Sequence, residues 1–89
     1  MTEFRRAADA IATRISEDQV VAMDVNAADY FGLEGPAAFV WDLLESPRTL
    51  DSIVESLLDR YEVDEATCRA QAEGFLADMV DRQLAVVSE

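Results

Sequence analysis

The spacing of apolar residues switches from strand-like to helical at Pro36, and that change constrains the fold more than any other feature. Ahead of it, Ala12 to Ser16 and Gln19 to Val25 are short runs rich in β-branched residues, joined by the polar Ser16, Glu17 and Asp18. Runs of this kind read as the two strands of a hairpin. A second polar break, Asn26 to Asp29, leads to Tyr30, Phe31, Gly32 and Leu33, which complete a three-stranded antiparallel meander. Side chains alternate across a strand, so Phe31 and Leu33 share one face while Tyr30 and Gly32 share the other.

From Pro36 onward the apolar period is helical. Proline at a first helical position lacks only an N–H that would have no partner there. Phe39, Val40, Leu43 and Leu44, with Trp41 on a flank, give the first helix its stripe, and Ser46 and Pro47 end it. Thr49 is suited to cap a second helix, Leu50 to Tyr61, with Leu50, Ile53, Val54, Leu57 and Leu58 turned inward. Asp64 caps a third, Glu65 to about Gln83, whose stripe is Cys68, Ala72, Phe75, Leu76, Met79 and Val80. The apolar Leu84 to Val87 then closes the core or adds an edge strand. Three strands followed by three helices is an α+β layout, and it is also the outline of a winged helix-turn-helix.

With 89 residues the chain allows one domain with a thin core. Residues 1–11 show no clear period and are expected to be loosely ordered, which leaves 12–89 as the folded winged helix-turn-helix domain. No apolar run approaches the roughly 18 to 20 residues that a membrane span needs, and Met1 to Ile15 lacks the apolar block of a secretion signal. A cytoplasmic location is the expectation.

Catalysis is disfavoured by what is missing. There is no histidine, and Cys68 is the only cysteine, at a spacing that suits a buried core position. Glycines at 32, 35 and 74 do not form a phosphate-cradling loop. No enzyme activity, cofactor or metal is expected. The 7 basic residues, all arginine, stand against 19 acids for a net charge of -12, which opposes binding to nucleic acid or to an anionic membrane. A DNA-reading third helix is also unlike this one, where Arg69, Gln71, Arg82 and Gln83 are interspersed with Glu65, Glu73, Asp78 and Asp81. From Val21 to Glu45 there are five acids and no base, which favours a basic partner.

An interaction module remains. The edge of a short sheet presents unpaired backbone groups that template an added strand, and Gly32 lets another backbone come close. The same edge could instead pair with a second copy in a two-fold dimer.

The run DYFGLEGPAAFVWDLL (residues 29–44), then PRTLDSIVESLLDRYEVDEATC (residues 47–68) and a helix ending near RQLAVV, resembles the PqqD-like family of peptide-recognition domains, also called RiPP recognition elements. The likeness covers roughly Ala12 to Val87. Phe31, Gly32 and Leu33 match the family's strand signature, and Ala37, Ala38, Val40 and Trp41 match its helix signature. Glu34 departs from the usual asparagine, and Ala37 stands where glycine is common. The resemblance implies a winged helix-turn-helix that binds the leader of a ribosomally made precursor peptide as an added strand, beside the third helix. Tyr30, Phe31, Gly32 and Leu33 would form the docking edge, with Arg69, Ala72, Glu73 and Leu76 across the cleft. YFGL, PRTLDSIV and YEVDEATC look most like the freestanding lasso-peptide members, which deliver the precursor to a separate leader peptidase or modifying enzyme. A chaperone of pyrroloquinoline quinone assembly and a DNA-binding regulator are the alternatives.

Overall fold

A computed structural model of the chain describes residues 1–24 and 27–89. The element order is β1 (Glu3–Arg6), β2 (Ala12–Ser16), β3 (Gln19–Asp24), β4 (Asp29–Glu34), α1 (Pro36–Leu43), α2 (Leu50–Arg60), α3 (Glu65–Asp81) and β5 (Ala85–Ser88). The expected meander is present as an antiparallel sheet in the order β2-β3-β4, and the three helices follow it. Val25 and Asn26, expected at the end of one strand and the start of the next break, lie outside the described residues.

Alternation decides which face of this sheet meets the helices. In β3 the side chains of Val20, Ala22 and Asp24 are buried while Gln19, Val21 and Met23 are only half-buried. Phe31 and Leu33 of β4 share the inward face, with Leu33 fully buried, and Tyr30 and Gly32 face outward. The core joins Val20, Ala22 and Leu33 to Val40, Leu44, Ile53, Leu76, Met79 and Leu84. Cys68 is buried within it, as its spacing suggested.

Local chemistry fixes the helix ends. Gly35 enters α1 at φ 56, a left-handed conformation suited to glycine, and Pro36 follows at the first helical position. Thr49 accepts a hydrogen bond from the Ser52 N–H at 3.1 Å, and Asp64 accepts one from the Thr67 N–H at 3.1 Å. At the other end of α3, Gln83 sits at φ 60 and donates to the Val80 carbonyl, while the Leu84 N–H reaches Met79. This Schellman geometry turns the chain sharply into β5.

The N-terminal segment differs from its expected looseness. Glu3–Arg6 form β1, which pairs antiparallel with β5 so that Phe4 lies opposite Val87 and Arg6 opposite Ala85. Its other edge is held as well: the Phe4 N–H donates to the Arg48 carbonyl at 2.7 Å and the Arg6 N–H to Leu44 at 3.0 Å. The strand is ordered because both rows of its backbone groups find partners. Its arrival also corrects the placing of Trp41 on a flank, since the ring is 4% exposed. Arg6 covers that ring, with its guanidinium carbon 4.8 Å from the ring centroid and Nε donating to the Trp41 carbonyl at 2.9 Å.

Candidate peptide-docking edge and groove

The ladder between β3 and β4 determines which backbone groups face outward. Asp18 to Asp24 run against Gly35 to Asp29, and the Gly35 N–H bonds the Asp18 carbonyl at 2.9 Å. Hydrogen-bonded pairs alternate in an antiparallel ladder, so Leu33, Phe31 and Asp29 turn their backbone groups toward β3. Met23 confirms the phase from the other side, because its N–H donates to Ile11 on the β2 side. The outward groups of β4 are therefore those of Tyr30, Gly32 and Glu34. Neither β5 nor another described strand pairs with this edge, since β5 lies in a separate two-stranded sheet with β1.

Past the end of β4 lies an apolar groove of about 260 Å³. Pro36, Ala37 and Val40 of α1 line it together with Ala72 and Phe75 of α3, and Tyr61 and Val63 complete the lining from the link between α2 and α3. Gln71 is its polar lining residue. The Phe39 and Tyr61 rings pack edge to face with centroids 6.0 Å apart and planes at 77°, and Arg60 lies over both rings, so Tyr61 is braced by packing on α1 and α2.

α3 approaches the sheet through its last turn. The Arg82 guanidinium carbon lies 4.0 Å from the centroid of Phe31, Nη1 donates to Asp24 of β3 at 3.1 Å, and Nε donates to Asp78 at 3.1 Å. Asp24 also accepts a bond from the Ala27 N–H at 3.2 Å, so one carboxylate ties the β3–β4 turn to the end of α3.

The residues expected from the sequence divide between two sides of α3. Tyr30, Phe31, Gly32 and Leu33 lie together on β4, and Ala72 lines the groove beside it. The other three face elsewhere. Arg69 bonds Asp51 of α2 at 2.9 Å, while Glu73 and Leu76 line a second groove with Phe4, Leu50 and Val87. Helical geometry explains the split, because at about 100° per residue Arg69, Glu73 and Leu76 lie on a flank well round from Gln71 and Phe75. Gln71, Phe75, Asp78 and Arg82, at i, i+4, i+7 and i+11, share the other flank, whose C-terminal end meets the sheet through Arg82 and which the sequence pattern did not single out. That spacing was visible; what was missing was which flank meets the sheet.

A family model described as coenzyme PQQ synthesis protein D (PqqD) matches residues 19–85, from the start of β3 to the start of β5. The chain belongs to the PqqD family. Among solved structures of similar shape is "TbiB1 in Complex with the TbiA(beta) Leader Peptide", with 26% identity, a TM-score of 0.80, and coverage of 91% of this chain and 93% of that one. A second, "Lasso peptide synthetase B1 complexed with the leader peptide", has 18% identity and a TM-score of 0.77 over 94% of this chain and 98% of that one, and bears on the fold alone. No curated relative matches the chain. Among the described residues no helix is long and apolar enough to cross a membrane, and no group of His, Cys, Asp or Glu is arranged to hold a metal ion.

Proposed function

We propose that the chain is a non-catalytic adaptor that binds the leader segment of a ribosomally made precursor peptide, in the manner of the lasso-peptide members of its family. The observation that carries this reading is the open outward edge of β4, which is followed in the chain by Pro36 and Ala37 lining the groove between α1 and α3. An added strand would take affinity from backbone pairing at Gly32 and selectivity from an apolar side chain lodged beside Ala37, Ala72 and Phe75. The leader peptide bound by the structural neighbour TbiB1 supports the same class of partner.

Charge supports one kind of leader over another. With a net charge of -12 and Asp29 and Glu34 exposed at the two ends of β4, a leader of net positive charge is favoured. Arg69 of α3 and Arg82 at its C-terminal cap are both engaged within the protein, Arg69 with Asp51 and Arg82 with Asp24 and Asp78, which leaves the DNA-reading alternative without a basic helix face.

A separate peptidase or modifying enzyme would dock best on the outer face of the β2-β3-β4 sheet. Ile11, Ile15 and Tyr30 are 56%, 60% and 70% exposed there, with Val21 and Met23 between them. Exposed apolar faces of this kind mark interaction sites. A second copy would bring a further -12 of charge against the first, so an enzyme surface with an apolar centre and a basic rim is the better complement.

Calorimetric titration with a synthetic leader of the precursor encoded beside this gene tests the reading. One-to-one binding at micromolar or tighter, about -8 kcal/mol, is expected. Absence of binding removes it.

A further inference from the structure

The free edge of β4 is not uniformly open. Of its three outward N–H groups, that of Tyr30 is already occupied: it donates to Oδ1 of the neighbouring Asp29 at 2.8 Å. Gly32 and Glu34 keep theirs toward the open side by the phase of the ladder. Beyond Glu34 the chain turns away at Gly35, whose N–H is spent on Asp18, and Pro36 has no N–H to give. The edge is thus bracketed, with a carboxylate cap at one end and a proline at the other.

Resting on the strand-addition reading above, the geometry points to Asp29 as the residue that sets the register and length of the bound peptide. By holding the Tyr30 N–H it leaves two outward donors, Gly32 and Glu34, about 6.6 Å apart along the strand. A peptide pairs with them through two carbonyls separated by one residue, while at Tyr30 only the carbonyl is left to accept, so two-bond pairing ends before that residue. Capture is confined to a short segment of about four or five residues, next to the groove where a side chain can be read. An edge without this cap would accept a longer extended chain with less regard to sequence, the general hazard of open strands. Asp29 therefore acts as a positioning residue, through the Tyr30 amide and not by contact with the peptide.

Nuclear magnetic resonance of the full ¹⁵N-labelled protein, with and without the synthetic leader, reads this directly through amide exchange with solvent. In the native protein the leader should slow exchange of the Gly32 and Glu34 amides at least tenfold and leave that of Tyr30 unchanged. Asp29→Ala frees the Tyr30 N–H, while Asp29→Asn keeps an oxygen in the capping position and loses the charge. Relative to Asp29→Asn, Asp29→Ala should bring Tyr30 into the protected set and bind a leader extended past that position about fivefold more tightly. The proposal is overturned if the leader protects Tyr30 in the native protein, or if the two variants bind and exchange alike. Protection at Tyr30 with intact micromolar affinity would sink the register and spare the adaptor reading, whereas a native protein that binds no leader would remove both.

Discussion

Arg82 and Phe31 are joined between the end of α3 and β4, with the guanidinium carbon 4.0 Å from the ring centroid and the same group bonded to Asp24 at 3.1 Å. One side chain from the last turn of α3 thereby fixes where the helix stands relative to β3 and β4.

Replacing Arg82 by alanine removes a stacking contact and one partner of the Asp24 carboxylate, whose side chain is 10% exposed. Stability should fall by about 1–2 kcal/mol, discounted because Arg82 itself is a third exposed. Urea unfolding followed by the fluorescence of Trp41 measures the loss. Lysine at this position should recover only part of it, since it lacks the planar fork that bonds Asp24 and Asp78 together. Full recovery by lysine would show that charge alone matters.

The N-terminal strand should behave as part of the fold. Phe4 packs on the core, pairs with Val87 and exchanges backbone bonds with Arg48. Phe4→Ala is expected to cost about 2 kcal/mol in the same unfolding assay, a partial-burial value. A cost within 0.5 kcal/mol, about the size of an ordinary surface substitution, would mean that β1 adds nothing.

Gly74 offers the opposite sign. It lies inside α3 with an ordinary helical backbone, and a Cβ built there meets nothing within 4 Å. Gly74→Ala should therefore stabilise the protein by about 0.5–1 kcal/mol through helix propensity and reduced freedom of the unfolded chain. A midpoint shift to lower urea would contradict that.

Affinity for a basic leader should weaken as salt rises, because part of the attraction comes from a field that is screened within about 8–10 Å at 0.1–0.15 M ionic strength. Titrations at 50 and 500 mM sodium chloride should differ several-fold, while the apolar groove contributes a part that salt leaves in place. Equal affinity at both salts would remove the electrostatic component.

The parts of this fold that were legible before the structure are those written in local pattern. Period-two alternation marked β3 and β4, and Pro36, Thr49 and Asp64 marked the starts of three helices at the positions where they occur. β1 was not legible because Glu3–Arg6 carries a single large apolar residue and its partner strand lies some 80 residues away, beyond the reach of any local pattern. Trp41 was misplaced for the same reason, since what covers it is Arg6. On α3, alternation and spacing grouped the side chains correctly into faces, but only the long-range meeting of Arg82 with Phe31 shows which flank borders the sheet. Arg69 and Glu73, expected across from β4, lie on the other flank.

The central claim is that the outward backbone groups at Gly32 receive a foreign strand, and Gly32→Pro tests it most directly. Gly32 and Val21 form a non-hydrogen-bonded pair, so proline there deletes an outward N–H and leaves the β3–β4 ladder intact. The variant should keep its circular dichroism and unfolding midpoint close to those of the parent while its affinity for the synthetic leader falls at least a hundredfold. A folded Gly32→Pro protein that binds the leader as tightly as the parent would contradict strand addition at this edge.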